Sequence, residues 1–378
     1  EKAASLIEDF LRGPPVVRDA DLAHRRGVLV DARNPDAAIR IFEQNTQTYP
    51  RDHRNFMRAG LYFARNNRNP ARALTMFERT VALNDTIARA WYELGMQYGR
   101  ARRDRDMTNA FQRFIALESR NPDPIMRVGE YLLVGRNMPG DALMFLEMAN
   151  SLRPNHPATM VLLARCYTSV GRTEEGIRIL ESVVRNSRGT PVPIEVRIAL
   201  AEGYLAVGKN MEAATAWKLV TDEKREVPHL VSYATALLGI NRNQEALGIA
   251  NEILVRDAQN IDALMILGRA RAAMRNFEDA MDAYRRIGLI NPNHVPALYE
   301  RANVFLHQQN FDQARTLYAR TLELDPKFAL GELGLARVAR GQRNQAEYQN
   351  RLQRAHALDP NHREIQEEVR RANQARSQ

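Results

Sequence analysis

Trp91-Tyr92-Glu93-Leu94-Gly95-Met96-Gln97-Tyr98 is the stretch on which the reading of this chain turns. At 3.6 residues per turn, Trp91, Leu94 and Tyr98 fall on one stripe of a helix, and Gly95 leaves room beside that stripe for a second helix to approach closely. The pattern carries weight because the chain repeats it. Leu264, Leu267, Gly268, Ala280, Tyr284 and Pro292 take positions 4, 7, 8, 20, 24 and 32 of the segment 261–294. Leu298, Ala302, Phe305, Ala314, Tyr318 and Pro326 take 4, 8, 11, 20, 24 and 32 of the segment 295–328. Two successive segments agree in register.

The same register extends along the chain. Small residues return at position 20 in Ala38, Ala73, Ala142, Gly176, Ala213, Ala246, Ala280 and Ala314, where a second helix must come close to the first. Bulky residues return at position 24 in Phe42, Phe77, Phe111, Leu146, Leu180, Trp217, Tyr284, Tyr318 and Leu352. Met107 and Tyr348 depart from the small-residue rule. Pro124, Pro228 and Pro296 sit at position 2, tolerated in the first turn of a helix because the missing N–H has no partner there anyway. Pro50, Pro154, Pro292, Pro326 and Pro360 close the second helix, which proline cannot continue.

The spacing of Trp91, Leu94, Gly95 and Tyr98 fits W-x2-L-G-x2-Y, and the chain resembles the tetratricopeptide repeat (TPR) family over nearly its whole length. The resemblance implies an all-α, right-handed solenoid of antiparallel helix pairs, helices A and B, with helix A lining the concave side. Ten repeats follow without a gap: 19–53, 54–87, 88–122, 123–156, 157–193, 194–226, 227–260, 261–294, 295–328 and 329–362. Residues 1–18 read as the second half of a repeat, with Ala3, Ile7, Phe10 and Pro15 at positions 20, 24, 27 and 32, or as a capping helix. The first of these readings implies that the polypeptide continues upstream of Glu1.

The fifth repeat is overlong and ends in a loop rich in Gly and Pro, 187–193. That loop is either a longer turn or a break between two five-repeat halves, 19–193 and 194–362. Residues 363–378 close the chain as a polar helix and tail, with Ile365 and Val369 as its apolar contacts, the solvating cap an array needs.

Composition narrows the classes further. With 44% hydrophobic and 26% charged residues among 378, the chain can fill an extended core and is not disordered in composition. No apolar run approaches the roughly 18 residues of a membrane helix, so no membrane insertion is expected. The single cysteine, Cys166, excludes an internal disulfide framework and is expected to be a buried structural thiol. Cytoplasm and periplasm both remain open as compartments. The net charge of +9 is concentrated: residues 51–105 hold 12 Arg against 5 acidic residues.

Motifs for chemistry are missing. The chain has no phosphate-binding Gly-rich loop ending in Lys-Ser or Lys-Thr, and no G-x-S-x-G, H-E-x-x-H or C-x-x-C. The period accounts for almost every residue from Asp19 to His362, leaving no room for a separate catalytic domain. His156, His294 and His362 each end a repeat just after the proline, as turn residues rather than metal ligands. No catalytic residue, metal or cofactor is expected.

What remains for function is the concave stripe. In this family positions 2, 5, 9 and 12 of helix A point into the groove, and their helical spacing independently makes them one face. In the second to fourth repeats this stripe carries the candidate partner-binding residues Arg58, Tyr62, Arg65, Arg89, Tyr92, Met96, Arg127 and Tyr131. Arginine supplies a planar fork for carboxylates, and Tyr and Met supply adaptable apolar area. Farther along, the sixth to eighth repeats are milder, with Glu195, Ile198, Glu202, Val231, Thr235, Asp262, Met265 and Arg269. The Lys and Asn clamp by which some family members hold a C-terminal carboxylate is not reproduced. Arg58 takes one of its positions, but Tyr62 replaces the Asn and Pro124 stands where a later Lys would be.

The expected function is a non-enzymatic scaffold or adaptor that binds an acidic or aromatic-containing segment of a partner protein within a larger complex. A basic nucleic-acid-binding solenoid is the alternative, carried by the run from Gly99 to Arg105. A third reading makes the chain the repeat portion of a larger enzyme or cell-envelope assembly or export protein. Self-association is left open by the apolar surface that a missing half repeat would expose.

Overall fold

The structure is a computed structural model that describes residues 20–65, 68–118, 120–187 and 189–376. The reading of residues 1–18 lies outside the described residues. Among those described, every regular element is a helix. In chain order they are α1 (Ala20–Asp31), α2 (Pro35–Thr48), α3 (His53–Ala64), α4 (Pro70–Leu83), α5 (Ala88–Arg100), α6 (Asp104–Leu117), α7 (Pro122–Glu130, continued by a π turn Tyr131–Gly135) and α8 (Pro139–Leu152). They continue as α9 (Pro157–Ser169), α10 (Thr173–Asn186), α11 (Ile194–Ala206), α12 (Asn210–Glu223), α13 (Val227–Gly239), α14 (Asn243–Arg256), α15 (Ile261–Ala273) and α16 (Phe277–Ile290). The last five are α17 (Val295–His307), α18 (Phe311–Leu324), α19 (Ala329–Gly341), α20 (Gln345–Leu358) and α21 (Arg363–Arg376). From α1 to α20 the odd-numbered helices are the A helices and the even-numbered ones the B helices.

The described residues form two compact units, the first ending at Arg172 and the second beginning at Thr173. The division lies at the A–B turn of the fifth repeat. Within each unit the architecture is that of an α-solenoid, successive helix hairpins burying one another's apolar stripes.

The bulky residue at position 24 fills the centre of each hairpin. Phe77, Phe111, Leu146, Tyr284 and Tyr318 are fully buried. Opposite them the A helix must be bare: a Cβ on Gly95 would stand 2.5 Å from the Phe111 ring, and one on Gly268 would run into the Tyr284 ring. Ala38, Ala73, Ala142, Ala213, Ala246, Ala280 and Ala314, all fully buried, let the B helix close on the A helix.

The A–B turns share one device. From the third repeat onward the turn holds a left-handed residue, in sequence Arg102, Asn137, Gly171, Gly208, Asn241, Arg275, Gln309 and Arg343. Most are followed by an N–H bonded back five residues, as Arg103 to the Tyr98 carbonyl (2.9 Å) and Asn276 to the Arg271 carbonyl (2.9 Å). This ending satisfies the last carbonyls of helix A and reverses the chain in three residues.

The fourth repeat differs. Its A helix runs fourteen residues from Pro122 to Gly135, nine α and five π, where α5 and α9 each have 13. Asn121 caps it, its side chain accepting from the Asp123 N–H at 3.2 Å. The sequence period had placed the extra residue at the end of the third repeat. The helix absorbs it instead as a π turn, the usual accommodation of one inserted residue.

At the far end α21 covers the last hairpin. Ile365 is fully buried among Leu333, Ala336, Tyr348 and Leu352, with Val369 packed at the edge. The Glu368 side chain is 1% exposed and pairs with Arg340, with Arg337 at 3.8 Å and with Arg371 at 3.7 Å. Tyr348, the exception at position 20, donates its hydroxyl to Glu368 Oε1 at 3.0 Å. A large residue is kept there because its far end ties down the cap.

Two outcomes follow for stability. Gly268→Leu forces side chain into space held by Tyr284 and is expected to destabilise by about 2 kcal/mol, read from the urea midpoint. Glu368→Ala leaves Arg337 and Arg340 short of a counter-charge and is expected to cost about 3 kcal/mol, seen by hydrogen exchange as opening of α20 and α21 before α13 to α16.

Candidate functional site

Six of the eight candidate residues line one cavity in the first unit. It holds about 380 Å³ and is bounded by Arg58, Leu61, Tyr62 and Arg65 from α3 and its C-cap, and by Arg89, Tyr92, Glu93, Met96, Gln97 and Arg100 from α5. Asp31, at the end of α1, and Ile39 and Phe42 of α2 complete it. Arg127 and Tyr131 do not line it.

The aromatic residues are held rigidly. Tyr92 is half-buried, its ring edge-on to Phe114 at 5.5 Å and tilted against Phe111 at 6.2 Å. Tyr62 donates its hydroxyl to Asp36 Oδ1 (2.6 Å) while Arg68 donates to both Asp36 (2.6 Å) and the Tyr62 oxygen (2.6 Å). The Tyr62 phenol therefore titrates above its usual range, through its bond to Asp36, and the Asp36 carboxyl below, through its bonds to Tyr62 and Arg68. Tyr62 is a fixed wall rather than an adaptable one.

The arginines are held loosely. Arg58 approaches Asp31 only to 3.7 Å and Arg89 approaches Glu93 only to 3.8 Å, beyond a direct charge-assisted hydrogen bond. Among the described residues no carboxylate lies within 4.0 Å of Arg65, Arg100 or Arg127. Arg100 makes a 3.3 Å bond to the buried Gln97 side chain. Four guanidiniums against two carboxylates leave the cavity positive.

Several other arginines are closed by acids of a neighbouring repeat. Arg54 meets Asp21 at 2.5 Å, Arg225 meets Glu252 at 2.6 Å and Arg269 meets Glu300 at 2.7 Å. A second cavity, of about 690 Å³ and within the second unit, shows the contrast. Glu300, Arg337, Arg340, Glu364 and Arg371 line it, but Arg337 already bonds Glu364 at 2.9 Å and Arg340 is held by Glu368. Its charges are satisfied internally.

The π turn explains the place of Tyr131. With one residue added to the helix, its ring lies edge-on to Phe111 at 6.2 Å and its hydroxyl sits against the Cα of Gly99. It is packing between the third and fourth repeats. Arg127 stays exposed on α7. Conversely, Glu93, Gln97 and Arg100 belong to the cavity but fall off a strict 2-5-9-12 stripe. The available signal was the i, i+4 relation of Glu93 to Arg89, of Gln97 to Glu93 and of Arg100 to Met96: such residues share a helix face.

Burial raises the Glu93 carboxyl above its ordinary value of 4.5, against the pull of Arg89 and Arg100. Its side chain is 19% exposed. Burial likewise pushes the Cys166 thiol up to about 11, so it is neutral and inert at physiological pH. Among the described residues there is no cluster of His, Cys, Asp and Glu suited to a metal, and no helix long and apolar enough to cross a membrane.

The architecture defines a class, the α-solenoid of helix hairpins, with a positively charged cavity in its first unit. The chain is a tetratricopeptide repeat protein. Tetratricopeptide repeat family models match residues 233–294 and 268–338. A crystal structure of a tetratricopeptide repeat protein from Parabacteroides merdae superposes with a TM-score of 0.59 at 14% identity, covering 66% of this chain and 97% of that one. Cellulose synthase operon protein C of Pseudomonas fluorescens is 25% identical over 235 residues, 60% of this chain and 16% of its own length. Human protein O-mannosyl-transferase TMTC1 is 24% identical over 183 residues, 47% of this chain and 20% of its own. The chain thus spans no more than about a fifth of these two relatives. Proteins of this fold bind partner proteins or peptides.

Ionised Glu93 weighs against the folded state wherever the pH lies above its raised folded pKa, and the penalty disappears below 4.5, where both states are protonated. Glu93→Gln is therefore expected to raise the melting temperature at pH 7, with a gain that shrinks as the pH falls and vanishes at pH 4. Paired thermal melts at the two pH values check it.

Proposed function

We propose that this chain is a non-enzymatic scaffold that holds an acidic, apolar-containing segment of a partner protein in the groove of its second and third repeats. One observation carries the reading. Four arginines converge on a single cavity beside Tyr92 and Met96 without a short carboxylate bond, whereas Arg54, Arg225 and Arg269 are each closed by an acid of a neighbouring repeat. An acidic side chain from outside would complete what neighbouring repeats complete at Arg225 and Arg269.

Nucleic acid is supported less well. Within the basic run, Arg103 is engaged by Asp106 at 2.7 Å and by the Tyr98 ring at 4.4 Å, and Arg102 occupies a left-handed turn. The cavity also presents Asp31 and Glu93, which repel a continuous polyanion. A second reading, the repeat portion of a larger cell-envelope assembly protein, is favoured by the likeness to cellulose synthase operon protein C. It is compatible with the first, since a scaffold within such a protein would still use a groove. An export or membrane domain in the same open reading frame would support it.

The test is co-purification from the source cell with the wild-type array and with a variant carrying Arg58→Glu, Arg89→Glu and Arg100→Glu. The variant is expected to keep its helical circular dichroism and to lose the partners the wild type retains. An unchanged partner set would place the site elsewhere on the molecule.

A further inference from the structure

The rim of the cavity has a polarity along the array. Asp31 is the last residue of α1, Arg65 is the C-cap of α3 and Arg100 is the last residue of α5. All three line the cavity from the same end of their helices. From the first repeat to the third the rim therefore reads negative, positive, positive. Arg58 and Arg89 are partly offset by Asp31 and Glu93; Arg65 and Arg100 are not.

The spacing sets the ligand's repeat. Packed helices stand about 8–10 Å apart, and an extended chain advances about 3.3 Å per residue, so a strand crossing the A helices passes one repeat in about three residues. A helical ligand, about 10–12 Å across with its side chains, is too thick to enter a cavity of 380 Å³. That volume suits one or two side chains of an extended segment. Tyr62, Tyr92 and Met96 line it between the two rim arginines.

We propose that the groove takes an extended peptide segment with two acidic side chains three residues apart, seated on Arg65 and Arg100, and an apolar side chain between them in the cavity. The proposal rests on the groove being the partner site. It adds the spacing and the direction: the segment's acidic part lies toward the third repeat, and its uncharged part lies toward Asp31.

The experiment is fluorescence anisotropy of the full chain with fluorescein-labelled decapeptides. One carries Asp-Phe-Ser-Asp within a Gly/Ser context, a second has the same composition with the two Asp adjacent, and a third has both Asp replaced by Asn. The first is expected to bind at least about tenfold more tightly than the other two, and to lose about tenfold with Arg65→Gln or with Arg100→Gln but not with Arg320→Gln. Both rim residues are largely solvent-facing, and circular dichroism verifies that the variants fold. Equal affinity for the two Asp isomers overturns the spacing and leaves the groove as an acid site. Failure of every peptide to bind overturns both the spacing and the groove, and tighter binding of a labelled single-stranded RNA overturns the peptide.

Discussion

Everything in this molecule depends on one contact, a large side chain on helix B pressed against a bare backbone on helix A. Phe111 against Gly95 and Tyr284 against Gly268 leave no room for a methyl group. Each such contact removes a full aromatic side chain from water, about 1.5–3 kcal/mol for the burial alone. It also fixes the distance between the two helices of a hairpin, and hence the distance from one A helix to the next. The groove inherits its spacing from the core.

Arginine does two jobs in this chain, and the structure separates them. Between repeats it is a fastener: Arg225 on Glu252 and Arg269 on Glu300 each bridge one hairpin to the next. Exposed pairs of this kind contribute about 0–1 kcal/mol each, so their value lies in register more than in stability. In the first cavity the same residue is left loosely paired beside rigid aromatic surface. Its donors are not committed to a short carboxylate bond within the fold.

Nearly all of the fold was legible because its determinants are local and periodic. The residues assigned to positions 20 and 24 are buried where the period puts them, and helices A of the fifth to tenth repeats begin at the residue the register names. Even Tyr348, which breaks the rule, breaks it for a reason visible only in three dimensions, its hydroxyl reaching Glu368 of the capping helix. The site was less legible. Arg58, Tyr62, Arg65, Arg89, Tyr92 and Met96 meet in one cavity, but Arg100 was passed over because a four-position stripe is narrower than a helix face, and Tyr131 was misplaced by a single inserted residue. The satisfied charges around Arg337 could not be read at all, because they depend on which carboxylate of α21 lands on which arginine.

The π turn in α7 marks the limit of the repeat logic. In a solenoid the core positions and the groove positions sit on different faces of helix A, so the wall can change chemistry repeat by repeat without touching Phe111 or Tyr284. An inserted residue breaks that independence, since it turns the two parts of its helix by about 100° relative to each other, and the part that starts at Pro122 carries Tyr131 into the packing. Tyr131 pays for its place on Phe111 by leaving the wall. The positive charge of the cavity therefore comes from the second and third repeats, with Asp31 of the first repeat on one side and, on the other, a helix whose Tyr131 packs on Phe111.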